Sequence, residues 1–213
     1  MCGWHEQRER REENTDVDET EARIQQELIA IMAVLSDLTG LTSRWNGEVE
    51  LSQDARAFGR KPFSCRIVLN ERLADQPVRW RTLIHEALHS FSVGYNSRDY
   101  QAWRGWEEGV VEQLQRLLRP FVLARISVLV DEVAFQSVEV DYTFNEYIEA
   151  LEQLRQATSA SASREFYVDL LATEIKNRPG LILSRRSQLP QDERDAFVRL
   201  FSQTNSVLKE FLP

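Results

Sequence analysis

The sequence is poor in cysteine, in long apolar runs and in basic charge, and each shortage excludes a class of protein. Its two cysteines, Cys2 and Cys65, cannot build a disulfide framework, which fits a protein of a reducing compartment. No apolar run reaches the roughly 18 residues that a membrane-spanning helix needs, so we expect no membrane partner. Asp and Glu number 34 against 26 Lys and Arg, for a formal net charge of -8. This acidic balance argues against a nucleic-acid partner, since such binding needs clustered basic groups.

The start of the chain also lacks the apolar segment of a secretory signal, so we expect a cytoplasmic protein. Residues 1–18 are dense in charged side chains and have few large apolar ones, which predicts a disordered charged leader. The 213 residues, 42% of them hydrophobic, suit one compact domain with a core of its own. We divide that domain into a core over residues 19–119 and a helical C-terminal subdomain over residues 120–213 that packs on it.

Hydrophobic periodicity predicts an α+β fold that is mostly helical. An amphipathic stripe with three- and four-residue spacing predicts a first helix from near Thr20 to Gly40. Two short alternating runs, at 48–51 and 64–69, predict a small sheet that is antiparallel at least in part. After these runs strand signals nearly vanish, and helical patterns follow at about 78–93, 100–118, 121–138, 143–157, 163–177 and 190–211.

The segment from His85 to His89, with the letters HEALH, carries the first chemical signal. Two histidines four residues apart lie on one face of a helix, about one turn apart, so both imidazoles can bind one cation. Glu86 between them is placed to reach a water on that cation and to act as its general base. The chain has three histidines in all, and the fact that two of them bracket this glutamate favours a metal site over a chance surface pair.

A zinc site with two histidines needs a third protein ligand and an open position for water. Glu108, which precedes Gly109 and follows His89 after eighteen intervening residues, is the donor that we predict. Glu112 lies one turn further on the same face, where it would accept the outer N–H of a histidine ligand or form a solvated surface charge. Glu107 points about 100° away from Glu108 on a helix and is therefore the less suitable ligand.

Together, HEALH, the spacing of eighteen residues and a Trp-x-Glu-Gly segment resemble the gluzincin metallopeptidases. The resemblance is to the aminopeptidase N family and to its minimal single-domain relatives, the minigluzincins, and it covers residues 64–113. It implies a zincin-like core in which His85, His89 and Glu108 bind zinc and Glu86 is the catalytic base. The Gly-x-Met-Glu-Asn motif by which the aminopeptidase N family binds a free amino terminus is absent, so aminopeptidase specificity is not carried over.

The resemblance also implies a group that stabilises the oxyanion and a strand that binds substrate. No histidine follows His89, so the oxyanion group would be a tyrosine, and the candidates are Tyr142, Tyr147 and Tyr167. Tyr167 lies 59 residues after Glu108, close to the position of this group in the family, and is our predicted catalytic tyrosine. In similar peptidases an extended substrate lies antiparallel to a strand that here corresponds to Ser64, Cys65, Arg66, Ile67 and Val68.

These observations favour a zinc-dependent metallopeptidase, an endopeptidase of narrow specificity that acts on a peptide or protein substrate. A second hypothesis is a zinc-containing interaction or regulatory module with latent or no proteolytic activity, since the helical half after residue 120 could serve a partner. A third is another zinc hydrolase. The intact Glu86 favours the enzyme, because a purely structural zinc site does not need the base. The sequence leaves the oligomeric state open.

Overall fold

The computed structural model describes residues 3–54, 58–60, 62–63, 65–158 and 163–209, with side chains from Glu19 onward. Its secondary structure confirms the predicted α+β, mostly helical fold, with a small sheet in the N-terminal half. The strands are β1 (Val49–Ser52), β2 (Gly59–Arg60) and β3 (Ile67–Asn70). The helices are α1 (Gly3–Thr39), α2 (Arg79–Phe91), α3 (Ser97–Ala102), α4 (Arg104–Arg125), α5 (Val133–Glu139), α6 (Asn145–Ala157), α7 (Ser163–Leu171), α8 (Arg178–Ser184) and α9 (Arg194–Val207). Short 3-10 helices lie at Glu71–Leu73, Ile175–Asn177 and Arg185–Gln188.

Helix α1 packs one apolar stripe into the core and contacts α2, α4 and β1. It ends at Thr39, and Gly40 follows with a φ of 71°, as expected of a helix stop. The helix begins at Gly3, earlier than the predicted start near Thr20, because Glu and Arg are good helix formers even where no apolar stripe continues. The side chains of residues 1–18 lie outside the described part, and the separate leader stays a prediction. The buried stripe consists of Ile24, Leu28, Ile31 and Leu35.

The sheet is mixed, with strand order β1-β3-β2. β3 pairs with β1 in parallel and with β2 in antiparallel register, so both of its edges are in use. β3 is therefore the central strand rather than an edge strand, which corrects the predicted substrate-binding strand: Ile67 and Val68 are buried in the middle of the sheet. Cys65 has a φ of 70°, which breaks the extended backbone, so Arg66 precedes the strand rather than belonging to it. Ser64 lies outside the described residues.

Helix α4 joins the two halves of the chain, because α1, α2, α6 and α7 all contact it. Pro120 lies inside this helix, which crosses the predicted division at residues 119 and 120 and runs on to Arg125. The proline removes one backbone hydrogen bond, but Leu118 and Val122 on either side of it are fully buried and hold the helix in the core. The C-terminal helices therefore pack on the helix that carries Glu108. Among the described helices, none is both long and apolar enough to cross a membrane.

Candidate metal centre

Three buried side chains from α2 and α4 converge on one point. His85 and His89 lie on consecutive turns of α2, and Glu108 lies in the second turn of α4. The Nε2 atoms of the two histidines are 3.3 Å and 3.5 Å from the same oxygen, Oε2 of Glu108. The ligand atoms of the three residues all lie within 4.8 Å of one another. This group can hold a metal ion, and it consists of the residues that the sequence spacing predicts as ligands.

The other ring nitrogen of each histidine contacts a second carboxylate. Nδ1 of His85 lies 3.0 Å from Oε2 of Glu112, and Nδ1 of His89 lies 2.8 Å from Oε1 of Glu107. Both glutamates are fully buried. A carboxylate at Nδ1 favours the tautomer with the proton on that nitrogen, which leaves the lone pair of Nε2 for a cation. The arrangement orients both imidazoles so that their Nε2 atoms can bind one cation.

Glu107 is a residue of this centre whose role the sequence pattern does not predict. Its direction on the helix, about 100° from Glu108, argues against a ligand role and indicates no other. In the structure the same direction places Glu107 against the outer nitrogen of His89 while Glu108 faces the inner one. The available signal was chemical, because two histidine ligands require two acceptors for their outer N–H groups and Glu112 supplies one of them.

The carboxylates shift the titration of both histidines. Burial lowers the pKa of His85, but its hydrogen bonds with Glu108 and Glu112 outweigh burial and raise this pKa to about 9. Burial likewise lowers the pKa of His89, and the charges of Glu108 and Glu107 raise it to about 10. Burial raises the pKa of Glu108, but His89 and His85 outweigh burial and hold this pKa well below its usual value. Burial also raises the pKa of Glu112, but His85 and Arg81 outweigh burial and lower this pKa to about 2. Without metal the cluster thus holds protons that a cation would displace.

Glu86 lies beside the cluster and faces the same cavity. Its side chain is buried, and the backbone of the edge strand β2 passes directly over it. A Cβ atom at Gly59 would lie 2.6 Å from Cγ2 of Thr82 and 3.1 Å from Cγ of Glu86. Only glycine lets the strand approach helix α2 this closely, so the cavity wall at this point is bare backbone.

The cavity that contains the cluster has a volume of about 730 Å³ and opens to solvent. His85, His89, Glu108 and Glu86 all line it. Its walls are otherwise aromatic and cationic. The aromatic residues are Phe58, Phe63, Tyr95, Tyr100, Tyr142 and Phe144, and the arginines are Arg60, Arg81 and Arg104. The cavity therefore combines a group that can hold a metal ion, a further buried carboxylate and open space beside both.

The structure does not bring the predicted catalytic tyrosine to this cavity. Tyr167 is fully buried in α7, and its hydroxyl donates a hydrogen bond of 2.9 Å to Glu152. Tyr147 is also fully buried and does not line the cavity. Tyr142 does line it, with its ring 4.1 Å from the guanidinium carbon of Arg81. The number of residues between Glu108 and Tyr167 does not determine where Tyr167 lies, because the loops between the intervening helices set its position in space.

Two further tyrosines, Tyr95 and Tyr100, contact the cluster, and the sequence pattern did not predict either contact. The hydroxyl of Tyr100 donates a hydrogen bond to Oε1 of Glu108. The ring of Tyr95 lies 5.2 Å from that of His89. Burial and the nearby carboxylates raise the pKa of both hydroxyls, so both keep their protons at neutral pH. Their position soon after the second histidine was the available signal, because the chain must turn beside the cluster there.

No protein-family model matches the chain, and no curated protein or solved structure matches it either. The interpretation of the site therefore depends on its own geometry. That geometry consists of two oriented imidazoles, one buried carboxylate between them, and a second carboxylate on the wall of the same cavity.

Proposed function

We propose that this protein is a zinc-dependent metallopeptidase, an endopeptidase of narrow specificity, as the resemblance to gluzincins implies. One observation carries the proposal. Nε2 of His85 and Nε2 of His89 point at the same oxygen of Glu108, and Glu86 lines the cavity into which they face. Two histidines and one glutamate are the ligand set of catalytic zinc in peptidases, with a glutamate as base.

The chemistry of the donor set supports a cation at this point. Oε2 of Glu108 is buried and has no hydrogen bond of ordinary geometry among the described residues. A buried carboxylate oxygen without a well-formed hydrogen bond is costly, and a divalent cation between it and the two Nε2 atoms would remove that cost. Neutral imidazole and carboxylate donors suit zinc well. The fit supports zinc as the resident ion.

The number of ligands favours a catalytic over a structural site. Structural zinc sites are closed by four protein ligands, whereas catalytic sites keep one position open. Within the described part of the chain, the candidate ligand group has three members, and all of them line the open cavity. A substrate or water can therefore reach the fourth position. This observation supports the enzyme over the zinc-containing interaction module.

The residues of the chain divide the reaction between them. When bound, zinc would polarise the scissile carbonyl and make water a stronger acid. Glu86 accepts the proton of the attacking water and delivers it to the nitrogen of the leaving amine. Tyr142 replaces Tyr167 as the candidate donor to the oxyanion. Burial raises the pKa of Tyr142 to about 12 although Arg81 opposes the rise, so the hydroxyl keeps its proton at neutral pH.

The edge strand β2 is the substrate-binding strand in this proposal. It occupies the edge of the sheet, and both Gly59 and Arg60 line the cavity. An extended peptide can pair with the outer edge of β2 as an additional strand, which would hold its backbone beside Glu86. The proposed strand is thus the neighbour of the one predicted from the sequence, because β3 lies between β1 and β2 in the sheet.

Mass spectrometry of a mixed peptide library tests the proposal. The zinc-loaded protein should produce internal cleavages, and Glu86→Gln should bind zinc at one per chain and produce none. His89→Ala should lose both zinc and turnover. Trimming from amino termini would point to an aminopeptidase instead. An active Glu86→Gln variant, or zinc binding without any dependence on His89, would contradict the proposal.

A further inference from the structure

We propose that the C-terminal half of the chain completes the metal centre, through Arg178 of α8. This arginine positions Glu107, and Glu107 in turn holds the imidazole of His89. The inference rests on the metal site of the proposed function but not on peptidase activity. Arg178 touches no ligand directly, so it is a positioning residue.

The guanidinium of Arg178 is fully buried and anchored by acceptors on several elements. Its Nη1 lies 2.8 Å from Oε2 of Glu107 and donates to the carbonyl of Trp106 at 3.0 Å. Its Nη2 donates to Oγ of Ser92 at 2.7 Å, and its Nε donates to the carbonyl of Thr173 at 3.2 Å. A planar group fixed at four acceptors holds its partner carboxylate in one orientation.

Glu107 transmits this orientation to the cluster because both of its oxygens are engaged. Oε2 faces Arg178 and accepts a hydrogen bond of 2.8 Å from Ser92, which directly follows α2. Oε1 lies 2.8 Å from Nδ1 of His89. A fully buried carboxylate needs a counter-charge to remain ionised, and Arg178 is the arginine paired with it. Without the charge of Arg178, nothing fixes the Glu107 carboxylate in the orientation that directs Oε1 toward Nδ1 of His89.

The two histidines differ in where this support comes from. Glu112, the partner of His85, is paired with Arg81 at 2.7 Å and Arg116 at 2.9 Å. Those arginines belong to α2 and α4, the helices that also carry the ligands. Arg178 instead lies in α8, beyond the helices that form the cluster. The His89 side of the centre is therefore complete only when the C-terminal helices are folded onto the core.

Zinc affinity measured by competition with a chromogenic chelator tests the inference. We expect Arg178→Met to weaken zinc binding by up to about 10–100-fold, the usual effect of losing the outer-shell partner of a metal-bound histidine, because Glu107 no longer keeps its contact with His89. The visible absorption of the cobalt-substituted protein should change as well, because His89 no longer holds its orientation. Arg178→Lys keeps the charge but loses the planar fork, so its affinity should lie between wild type and Arg178→Met.

Arg79→Met is the matched control. Arg79 of α2 is also a mostly buried arginine that pairs with a carboxylate through two nitrogens, at 3.0 Å each, but its partner is Glu27 of α1, which contacts no histidine among the described residues. The control should lower the melting temperature while zinc affinity and the cobalt spectrum stay as in wild type. Equal zinc affinities in Arg178→Met and Arg79→Met would overturn the inference, whatever their melting temperatures.

A double-mutant cycle separates positioning from general destabilisation. In the Glu107→Gln background, Arg178→Met should cost little further zinc affinity, because the two residues act through one contact to His89. If Arg178→Met does not fold, the zinc affinity and cobalt spectrum of Arg178→Lys test the inference instead. A folded lysine variant with wild-type affinity and an unchanged cobalt spectrum would overturn the inference. A wild-type protein that binds zinc but cleaves nothing would refute the proposed function and leave these expectations unchanged.

Discussion

A methyl group at position 59 would enter the narrow space between the edge strand β2 and helix α2. In Gly59→Ala the new Cβ lies 2.6 Å from Cγ2 of Thr82, 3.1 Å from Cγ of Glu86 and 3.2 Å from the carbonyl oxygen of Val68. Carbon atoms in contact normally lie about 3.5–4.0 Å apart. Either β2 must move outward by about 1 Å or the side chains of α2 must give way.

We expect Gly59→Ala to lower the free energy of unfolding by about 1–3 kcal/mol, the range typical of a methyl group forced into packed space. Urea denaturation measures this change. Since Glu86 is one of the displaced neighbours, kcat for peptide cleavage should also fall, by up to about 100-fold for a displacement near 1 Å. The loss of kcat is measured on folded, zinc-loaded protein, so it is separate from the loss of stability.

Thr82→Ser supplies the compensating change because it removes the atom that the new Cβ would strike first. The double variant should regain most of the lost stability, which makes the two substitutions strongly non-additive. Activity should recover only in part, since the contact with Glu86 persists. A Gly59→Ala protein with wild-type stability and activity would refute the close approach of β2 to α2. So would a double variant that is no more stable than the single one.

Three further predictions follow from the same site. Tyr142→Phe should lower kcat by about 100-fold, the effect of losing one oxyanion donor, whereas Tyr167→Phe should leave kcat unchanged. Equal kcat values for the two variants would exclude Tyr142 from the mechanism. Glu112→Gln should weaken zinc binding by about 10–100-fold in a chelator competition, and wild-type affinity would show that Glu112 does not support His85. With a pKa of about 9 for His85 and about 10 for His89, protons compete with zinc at neutral pH. The apparent zinc affinity should therefore rise as the pH increases from 6 to 8, with proton release in calorimetry, and a flat profile would contradict those pKa values.

The ligands of the metal centre could be predicted from the sequence because their spacing is a local property of a helix. Residues four apart share one face of any α-helix, so His85 and His89 converge wherever α2 lies. The same rule places Glu112 one turn from Glu108 on α4. Zinc chemistry asks for a third ligand, and the spacing of the gluzincins that this segment resembles selects Glu108 for that place. The mostly helical fold was predictable for the same reason, since helical periodicity is a property of a short continuous stretch of sequence.

The predictions that were wrong depend on how distant segments of the chain pack together. In the order β1-β3-β2 the edge strand beside the cavity is β2, which has two residues and no alternating pattern of its own. The sequence pattern therefore indicates the central strand β3 as the substrate-binding strand instead of β2. The helical patterns at 100–118 and 121–138 predict two helices, but the burial of Leu118 and Val122 around Pro120 keeps α4 continuous to Arg125. Tyr167 was placed by counting residues across loops, and loops have no fixed geometry.

By itself the sequence determined which residues could bind a metal and which could act as a base, because helix geometry and ligand chemistry are short-range. Only the tertiary structure decided what surrounds them. It set Glu107 against His89, brought Arg178 from α8 to neutralise it, and left Tyr142 rather than Tyr167 on the cavity wall. These contacts join segments far apart in the chain, and the burial of charge that makes them necessary exists only once the helices have packed.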